Sequence, residues 1–206
     1  MIKNSFKNMN SDDLYFLPLG GSGEIGMNFN MYGYKGNWLI IDCGVSFKDS
    51  KVIGADVFMP NIDVISEYNL NVVGMFITHA HEDHIGGVHH LWPLIKCPIY
   101  TTPFSGHLLQ QRLIDAGLYD KAKLNIVKKE SKFNIGPFNL ELINISHSIL
   151  ESNSVMMSTG KTKIFHTGDW KIDDDSTIGN KPNSKRLKEI GKAGVNAMVC
   201  DSTNAN

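Results

Sequence analysis

The sequence has few cysteines, and their arrangement excludes two common roles. Cys43, Cys97 and Cys200 are odd in number, widely spaced and never part of a C-x-x-C pair. A disulfide-stapled fold and a zinc site built from thiolates both require paired, regularly spaced cysteines. We therefore expect three free thiols, which suit a reducing compartment and predict a cytoplasmic protein.

An excess of charge of one sign and long apolar segments are also missing. The 206 residues carry a net charge of −1, so composition predicts no broad basic surface for nucleic acid. An RNA substrate would need a local patch or a surface contributed from elsewhere. No apolar run reaches the ~18 residues of a membrane span, and residues 1–13 lack the apolar core of a signal peptide. We expect no association with a membrane.

What remains is an ordinary globular composition, with 42% hydrophobic and 20% charged residues. We interpret residues 1–13 as a flexible N-terminal segment and residues 14–206 as one domain. Strand-like and helix-like segments alternate in the first part of the chain, where one helix is predicted over 85–96 and another from Pro103, at its start, to Gly117, at its end. Short strands dominate the second part. The pattern predicts an α/β (α+β) fold in which helices flank sheets of mixed parallel and antiparallel strands.

The segment LGGSGEIGMN places Gly21, Gly23 and Gly26 in a G-x-G-x-x-G pattern after a strand-like run. The same spacing, with an acidic residue such as Asp42 about 20 residues later, is typical of dinucleotide-binding folds. Such a fold requires a helix at the third glycine, yet the next residues, MNFNMYGYKGN, are poor helix formers. They alternate with a period of two and end in turn residues, which predicts a β-hairpin. We therefore expect the glycines to form a tight loop between antiparallel strands and to bind no dinucleotide.

The segment THAHEDHIGG brings four ligand-type side chains into six residues: His79, His81, Asp83 and His84. They follow the apolar run NVVGMFIT, a candidate buried strand, and precede a helix. In an extended segment His79 and His81 point to the same side, while Asp83 and His84 turn toward a neighbouring point. Imidazole and carboxylate groups are typical zinc ligands. The spacing indicates two metal ions. The alternative, a merely solvated loop, rarely needs three histidines.

Two residues in the strand-rich part are candidates to complete this site. His147 follows the apolar strand LELINIS, and Asp169 follows another strand in FHTGDW, so both reach a sheet edge. Taken alone, each would be an ordinary polar residue at the end of a strand. Four other histidines match no ligand position, and we expect them to pack, to face solvent or, for the last, to form a local hydrogen bond: His89, His90, His107 and His166.

The cluster HAHEDH is similar to the H-x-H-x-D-H signature of the metallo-β-lactamase superfamily. The ordered segments LGGSGEIGMN, IIDCG, HAHEDHIGG, HSI, HTGDWKID and CDSTNA, between Phe16 and Ala205, resemble the ribonuclease J family of β-CASP nucleases. This resemblance implies a metallo-β-lactamase-like αββα sandwich. In that family a β-CASP domain and a returning segment with a last histidine ligand follow DSTN. The resemblance therefore implies that the fold is incomplete at its C-terminal end and that these residues alone have little activity.

The resemblance also implies a role for each candidate ligand. It assigns His79, His81 and His147 to one ion, Asp83 and His84 to a second, and Asp169 to a bridge between the two. Asp42 matches an acidic residue that supports the ligand loops from behind. The ions would be two divalent cations, zinc first, with manganese or magnesium as alternatives. Asp83 or Asp169 would act in catalysis by orienting the attacking water or accepting its proton.

The predicted function is that of a metal-dependent ribonuclease that hydrolyses RNA phosphodiester bonds in RNA processing and decay. The resemblance implies 5′→3′ exonuclease or endonuclease action, RNA as the partner and a homo-oligomer for the full-length protein. Two alternatives stay open: a small-molecule hydrolase such as a glyoxalase II-like thioesterase, and a non-catalytic metal-binding fragment. The segments HTGDWKID and CDSTNA favour the nuclease.

Overall fold

The computed structural model describes residues 12–47, 54, 56–179 and 181–203, so the expected flexible segment 1–13 lies almost wholly outside the described residues. In chain order the strands are β1 (Tyr15–Gly20), β2 (Phe29–Tyr34), β3 (Asn37–Ile41), β4 (Ser46–Phe47), β5 (Val57–Phe58), β6 (Asn71–Phe76), β7 (Ile99–Thr101), β8 (Leu124–Ile126), β9 (Lys132–Ile135), β10 (Phe138–Asn144), β11 (Asn153–Thr159), β12 (Thr162–His166) and β13 (Ala197–Val199). The helices are α1 (Asp63–Glu67), α2 (Glu82–Ile85), α3 (Val88–Ile95), α4 (Pro103–Asp115) and α5 (Ser184–Ala193).

Two sheets contain most of the strands, and both mix strand directions as predicted. The first sheet has the order β1-β2-β3-β6-β7-β8, in which β1 to β3 are antiparallel and β3, β6, β7 and β8 are parallel. The second has the order β13-β12-β11-β10-β9 and is antiparallel apart from the parallel pair β12 and β13. Strands β4 and β5 form a small separate pair.

Alternation of side chains along the strands divides the core into layers. On β3, Trp38 and Ile40 pack in the cluster that contains residues of α3 and α4, while Leu39 and Ile41 pack against the second sheet. The outer face of the second sheet is covered by α5, with Ile190 buried in that cluster. Helices, sheet, sheet and helix therefore follow in layers, which confirms the predicted αββα sandwich.

The glycine segment has the predicted hairpin and no helix. Strands β2 and β3 are antiparallel and joined by Lys35 and Gly36, whose φ angles of 50° and 73° suit a two-residue hairpin turn. Gly21, Gly23 and Gly26 have φ of 82°, 79° and 92°, a region that glycine adopts without steric cost. Residues 20–26, the glycine loop, therefore turn tightly between the antiparallel strands β1 and β2.

The helices agree with the sequence except near the ligand cluster. The helix from Pro103 to Asp115 forms as predicted, with proline at its start, where no amide hydrogen is needed. The helix expected over 85–96 instead begins at Glu82 and is interrupted at Gly86–Gly87. The interruption has a steric reason, because Gly87 packs against the backbone of the segment after β3. None of the helices in the described part of the chain has the length and apolarity needed to cross a membrane.

Candidate metal centre

Four of the six predicted ligands follow β6, which lies between β3 and β7 in the first sheet. Because parallel strands end at the same edge of a sheet, the segment after β6 emerges beside the ends of its neighbours. His79 is fully buried there, and His81 has extended backbone angles just before α2. Asp83 and His84 lie within α2, which begins three residues before the predicted helix. The start of α2 suits Glu82 and Asp83, since acidic side chains favour the first turn of a helix.

The second sheet contributes the other two predicted ligands. His147 follows β10, and Asp169 follows β12. Both strands are antiparallel to β11, so they run in the same direction and end at the same edge. That edge lies over the end of β6, because Asn153 at the start of β11 donates a hydrogen bond to the carbonyl oxygen of Thr78 (3.0 Å). All six candidate residues therefore meet between the two sheets.

The first group of ligand atoms is formed by three histidines and one carboxylate. His81 Nδ1 lies 3.2 Å from His79 Nε2 and 3.0 Å from His147 Nε2. Asp169 Oδ2 lies 4.0 Å from His79 Nε2 and 3.5 Å from His147 Nε2. Ligand atoms about 2.0–2.1 Å from a tetrahedral zinc ion are about 3.3 Å apart, so this donor set fits such an ion.

The second group shares one residue with the first. His84 Nε2 lies 3.5 Å from Asp83 Oδ2 and 3.1 Å from Asp169 Oδ1. The two oxygens of Asp169 therefore face different groups, Oδ1 toward His84 and Oδ2 toward His79 and His147. Each group has at least three ligand atoms within 4.8 Å of one another, which is the arrangement that a bridging carboxylate requires.

Asp42 determines the proton position on His84. It is fully buried, and its Oδ2 lies 2.8 Å from His84 Nδ1. A carboxylate oxygen accepts the hydrogen bond from Nδ1, so Nδ1 carries a proton and Nε2 is the nitrogen directed toward Asp83 and Asp169. Asp42 thus lies behind His84, where the resemblance places it, and its supporting role in metal binding stays a prediction.

Thr78 determines the proton position on His79 in the same way, and sequence reasoning missed this residue. The Thr78 hydroxyl is 3.0 Å and 2.9 Å from the two oxygens of Asp42 and 3.0 Å from His79 Nδ1. Since its single proton is donated to Asp42, the hydroxyl oxygen accepts from Nδ1 of His79. Nε2 of His79 is then unprotonated and available to a cation.

The pKa values of the group reflect burial and mutual charge. Burial lowers the pKa of His79 well below its ordinary value, and the neighbouring histidines lower it further. Burial opposes protonation of His84 too, but Asp42, Asp169 and Asp83 outweigh it and raise its pKa well above the ordinary range. Burial raises the pKa of Asp169, but His84 and the other histidines lower it by more. The net pKa lies below the ordinary value, so the carboxylate is ionised at neutral pH.

Backbone hydrogen bonds outside the sheets position the second group. The amide of Asn28 donates to Asp83 O (2.9 Å), and that of Cys43 donates to His84 O (2.8 Å). Gly44 lies between these segments, and a Cβ atom there would come within 1.6 Å of Asp83 O. The short segment that carries Asp83 and His84 is therefore held against the ends of β2 and β3 by main-chain contacts.

A cleft of about 450 Å³ opens above the second group of ligands. It is lined by the glycine loop, by residues 199–203 and by Asp83, His84 and Asp169. No lysine or arginine is found among the described residues that line it. The cleft is therefore acidic, and a bound cation would supply most of the positive charge that attracts an anionic ligand.

The remaining histidines of the described residues belong to neither group of ligand atoms. The rings of His89 and His90 contact each other at an angle of 39° with centroids 3.9 Å apart, and His107 is exposed on α4. His166 does not make the expected local hydrogen bond, because its Nδ1 lies 2.8 Å from the hydroxyl of Tyr32 in the first sheet. Sequence reasoning missed this contact, which joins residues 134 positions apart.

Comparisons with known proteins identify the family of the chain. Residues 37–184 match the β-lactamase superfamily domain. Ribonuclease J of Sinorhizobium meliloti is 40% identical over 198 residues, which are 94% of this chain and 35% of that protein. Ribonuclease J of Helicobacter pylori is 36% identical over 202 residues, or 97% of this chain and 29% of that protein.

The chain thus spans about a third of the length of these curated relatives. Among solved structures, the metallo-β-lactamase fold protein YhfI from Bacillus subtilis superimposes with a TM-score of 0.55 at 14% identity. The match covers 77% of this chain and 63% of that one. At this identity the likeness concerns the fold alone.

Proposed function

The chain belongs to the β-lactamase superfamily, and we propose that it provides the dimetal centre of a ribonuclease of the ribonuclease J type. The observation that carries the proposal is the position of Asp169, whose two oxygens face two separate groups of ligand atoms. One carboxylate shared in this way suits two cations side by side. The similarity to ribonuclease J extends over nearly the whole chain and favours RNA as the substrate.

Each candidate ligand has a place in this proposal. His79, His81 and His147 hold the first cation, Asp83 and His84 the second, and Asp169 both. The donor set of imidazoles and carboxylates suits zinc, with manganese or magnesium as alternatives. Two such cations, when bound, lower the pKa of water and polarise a phosphoryl oxygen, which is the chemistry that phosphodiester hydrolysis needs.

The chain's own carboxylates supply the acid–base chemistry. The side chains of Asp83 and Asp169 are 33% and 26% exposed, so both have access to the cleft. His84 offsets the effect of burial on both and lowers the pKa of each carboxyl below its ordinary value. Both are therefore ionised at neutral pH, and either one orients a water molecule or accepts its proton.

The wider proposal concerns the full-length protein. It includes RNA cleavage by exonuclease or endonuclease action, assembly into a homo-oligomer and a cytoplasmic location. The free cysteines Cys43, Cys97 and Cys200 agree with a reducing compartment. Since the described residues lining the cleft include no lysine or arginine, we propose that most contacts to the RNA backbone are made elsewhere in the full-length protein.

The test uses protein expressed from the complete reading frame and supplied with zinc. We expect cleavage of 5′-monophosphorylated RNA and no turnover of a glutathione thioester. Asp169→Asn should lower the single-turnover rate by roughly a hundredfold or more while RNA affinity changes by only a few-fold, because the carboxylate positions cations and water. The matched control is Asp173→Asn, an exposed carboxylate of the same segment that pairs with Lys171 (3.0 Å).

Three outcomes separate the alternatives. Thioester hydrolysis without RNA cleavage would identify a small-molecule hydrolase. Metal binding without turnover of either substrate would identify a non-catalytic metal-binding protein. Equal losses of RNA affinity and rate in Asp169→Asn would contradict the bridging role.

A further inference from the structure

His166 lines the cleft but belongs to neither group of ligand atoms. It ends β12, three residues before Asp169, and only 4% of its surface is exposed. Its Nδ1 lies 2.8 Å from the hydroxyl of Tyr32, a fully buried residue of β2. The contact therefore joins the two sheets immediately beside the candidate metal centre.

The direction of this hydrogen bond follows from the burial of both partners. Burial raises the pKa of Tyr32, and the nearby Asp42 carboxylate raises it further, so the phenol keeps its proton. Within the described residues that hydroxyl has no other hydrogen-bond partner than His166. An unsatisfied buried O–H costs about 1–3 kcal/mol, so Tyr32 donates and Nδ1 of His166 accepts.

The proton of the His166 ring is consequently on the other nitrogen. Burial lowers the pKa of His166 to about 4, so the ring is neutral at physiological pH and carries one proton. With Nδ1 accepting from Tyr32, that proton is bound to Nε2. No described residue accepts a hydrogen bond from Nε2, whereas Nε2 of His79, which faces the centre, is unprotonated. His166 thus places a neutral N–H donor at the wall of an acidic cleft.

We propose that His166 donates a hydrogen bond from Nε2 to a phosphate oxygen of the substrate, and that Tyr32 is the positioning residue that fixes this tautomer. The inference rests on the proposed function, since it takes the ligand of the cleft to be a phosphodiester. A neutral donor suits this position because the described residues lining the cleft offer no lysine or arginine for the same oxygen. His166 is then a catalytic residue that touches substrate without binding a cation.

Two substitutions of His166 separate substrate contact from structural support. Glutamine places an amide N–H near the position of Nε2, whereas asparagine keeps a polar group near Tyr32 but is too short to reach the cleft. In the zinc-loaded protein from the complete reading frame, His166→Asn should lower the single-turnover rate on 5′-monophosphorylated RNA by roughly a hundredfold. His166→Gln should recover at least part of that loss, and both should retain the wild-type metal content. A rate for His166→Asn within twofold of wild type, or a loss explained by missing metal, overturns the proposal.

A second measurement does not depend on activity. Long-range ¹⁵N–¹H correlations of the imidazole ring report which nitrogen carries the proton. We expect the Nε2–H tautomer in the wild type and a mixture of tautomers in Tyr32→Phe. Tyr34→Phe is the control, because it removes a hydroxyl from the same strand at a residue that does not line the cleft. A proton on Nδ1 in the wild type overturns the proposal whatever the activity.

Phosphate binding distinguishes failure of this inference from failure of the proposed function. If the wild type does not cleave RNA, the proposed function fails, and the donor is tested with inorganic phosphate alone. Several-fold weaker phosphate binding by His166→Asn than by wild type supports the donor. Equal binding by both proteins overturns it.

Discussion

At the scale of single residues, the two candidate metal positions differ in how readily they accept a cation. His84 faces three carboxylates, Asp42, Asp83 and Asp169, and its pKa is raised well above 6.5 despite burial. His79 and His147 have lowered pKa values, with burial as the main cause. A cation must therefore displace a proton from His84 but finds His79 and His147 already neutral.

This difference predicts an order of metal release as the pH falls. Below the pKa of His84 in the folded protein, affinity for the second cation should fall about tenfold per pH unit, because one proton competes with it. The first cation should be held to lower pH. Zinc competition with a chromophoric chelator at pH 6, 7 and 8 measures both affinities. Equal pH slopes for the two cations, or earlier loss of the first, would contradict the assignment.

The additional proton on His84 stabilises the metal-free fold. Because the pKa of His84 is raised on folding, this contribution is fully present below about pH 6.5 and is lost as the pH rises through the folded value. The carboxyls of Asp83 and Asp169 have the opposite sign, since their lowered pKa values stabilise the fold above about pH 3.8. The lowered pKa values of the buried His79, His147 and His166 have the opposite effect to His84, since they destabilise the fold as the pH falls below about 6.5.

At the scale of elements, one carboxylate joins the loop that carries His147 to a helix of the first sheet. Glu151 Oε2 accepts a hydrogen bond from the amide of Phe104, in the first turn of α4 (2.8 Å), and lies near Lys129. A negative charge at the start of a helix is favourable. Glu151 has a φ of 57°, a left-handed conformation that costs about 1–2 kcal/mol for a residue other than glycine. The contact with α4 offsets this cost.

We expect Glu151→Ala to lower the free energy of unfolding by about 1–2 kcal/mol, the usual effect of losing a group that caps a helix. Affinity for the first cation should fall by roughly tenfold, because the His147 loop is no longer tied to α4. Urea unfolding and zinc competition measure the two effects. Glu189→Ala is the control, since Glu189 is an exposed carboxylate that pairs only with Arg186 among the described residues. Unchanged zinc affinity in Glu151→Ala would remove the proposed link between α4 and His147.

Strands and helices were largely predictable from sequence where neighbouring residues alone determine them. Period-two alternation predicted β2, and proline and glycine marked the two ends of α4. Strand β9 was not predicted, because its four residues, KFNI, are too few to show a pattern. The interruption of the helix at Gly86–Gly87 depends on contact with Cys43 and Gly44, about 40 positions earlier, so local sequence does not show it.

At the scale of the whole molecule, the candidate ligands come from both halves of the sandwich. His79, His81, Asp83 and His84 belong to the first sheet, and His147 and Asp169 follow strands of the second. A bound cation would therefore connect the two sheets through ligands up to 90 positions apart, as from His79 to Asp169. Metal binding should consequently be coupled to the stability of the entire fold.

We expect zinc to raise the melting temperature of the 206-residue chain. At 1,000 times the Kd a ligand adds about 4 kcal/mol. With roughly 2–4 °C per kcal/mol for a domain of this size, Tm should rise by roughly 8–16 °C. Calorimetry with and without zinc measures the shift. His147→Ala should lose at least half of it, and His107→Ala, on the exposed face of α4, should retain it. A full shift in His147→Ala would show that zinc stabilises the fold from another position.

The six candidate ligands and Asp42 were recognisable from sequence, but Thr78 and Tyr32 were not. HAHEDH is a dense local signal, and His147 and Asp169 each follow a predicted strand. Thr78 and Tyr32 gave no such signal, because a threonine at a strand end and an aromatic residue in a core are both common. Their importance depends on hydrogen bonds to Asp42, His79 and His166 that exist only once the two sheets have packed.

The contact of Gly44 with the backbone of Asp83 affects which changes natural selection tolerates. A methyl group at position 44 would push the main chain of Asp83 away without altering any side chain that meets a cation or a substrate. Selection for activity should therefore retain glycine at position 44 as strictly as it retains the candidate histidine ligands. A mutational scan should show that substitutions of Gly44 lower fitness as much as substitutions of the candidate ligands, although Gly44 has no side chain to bind a cation.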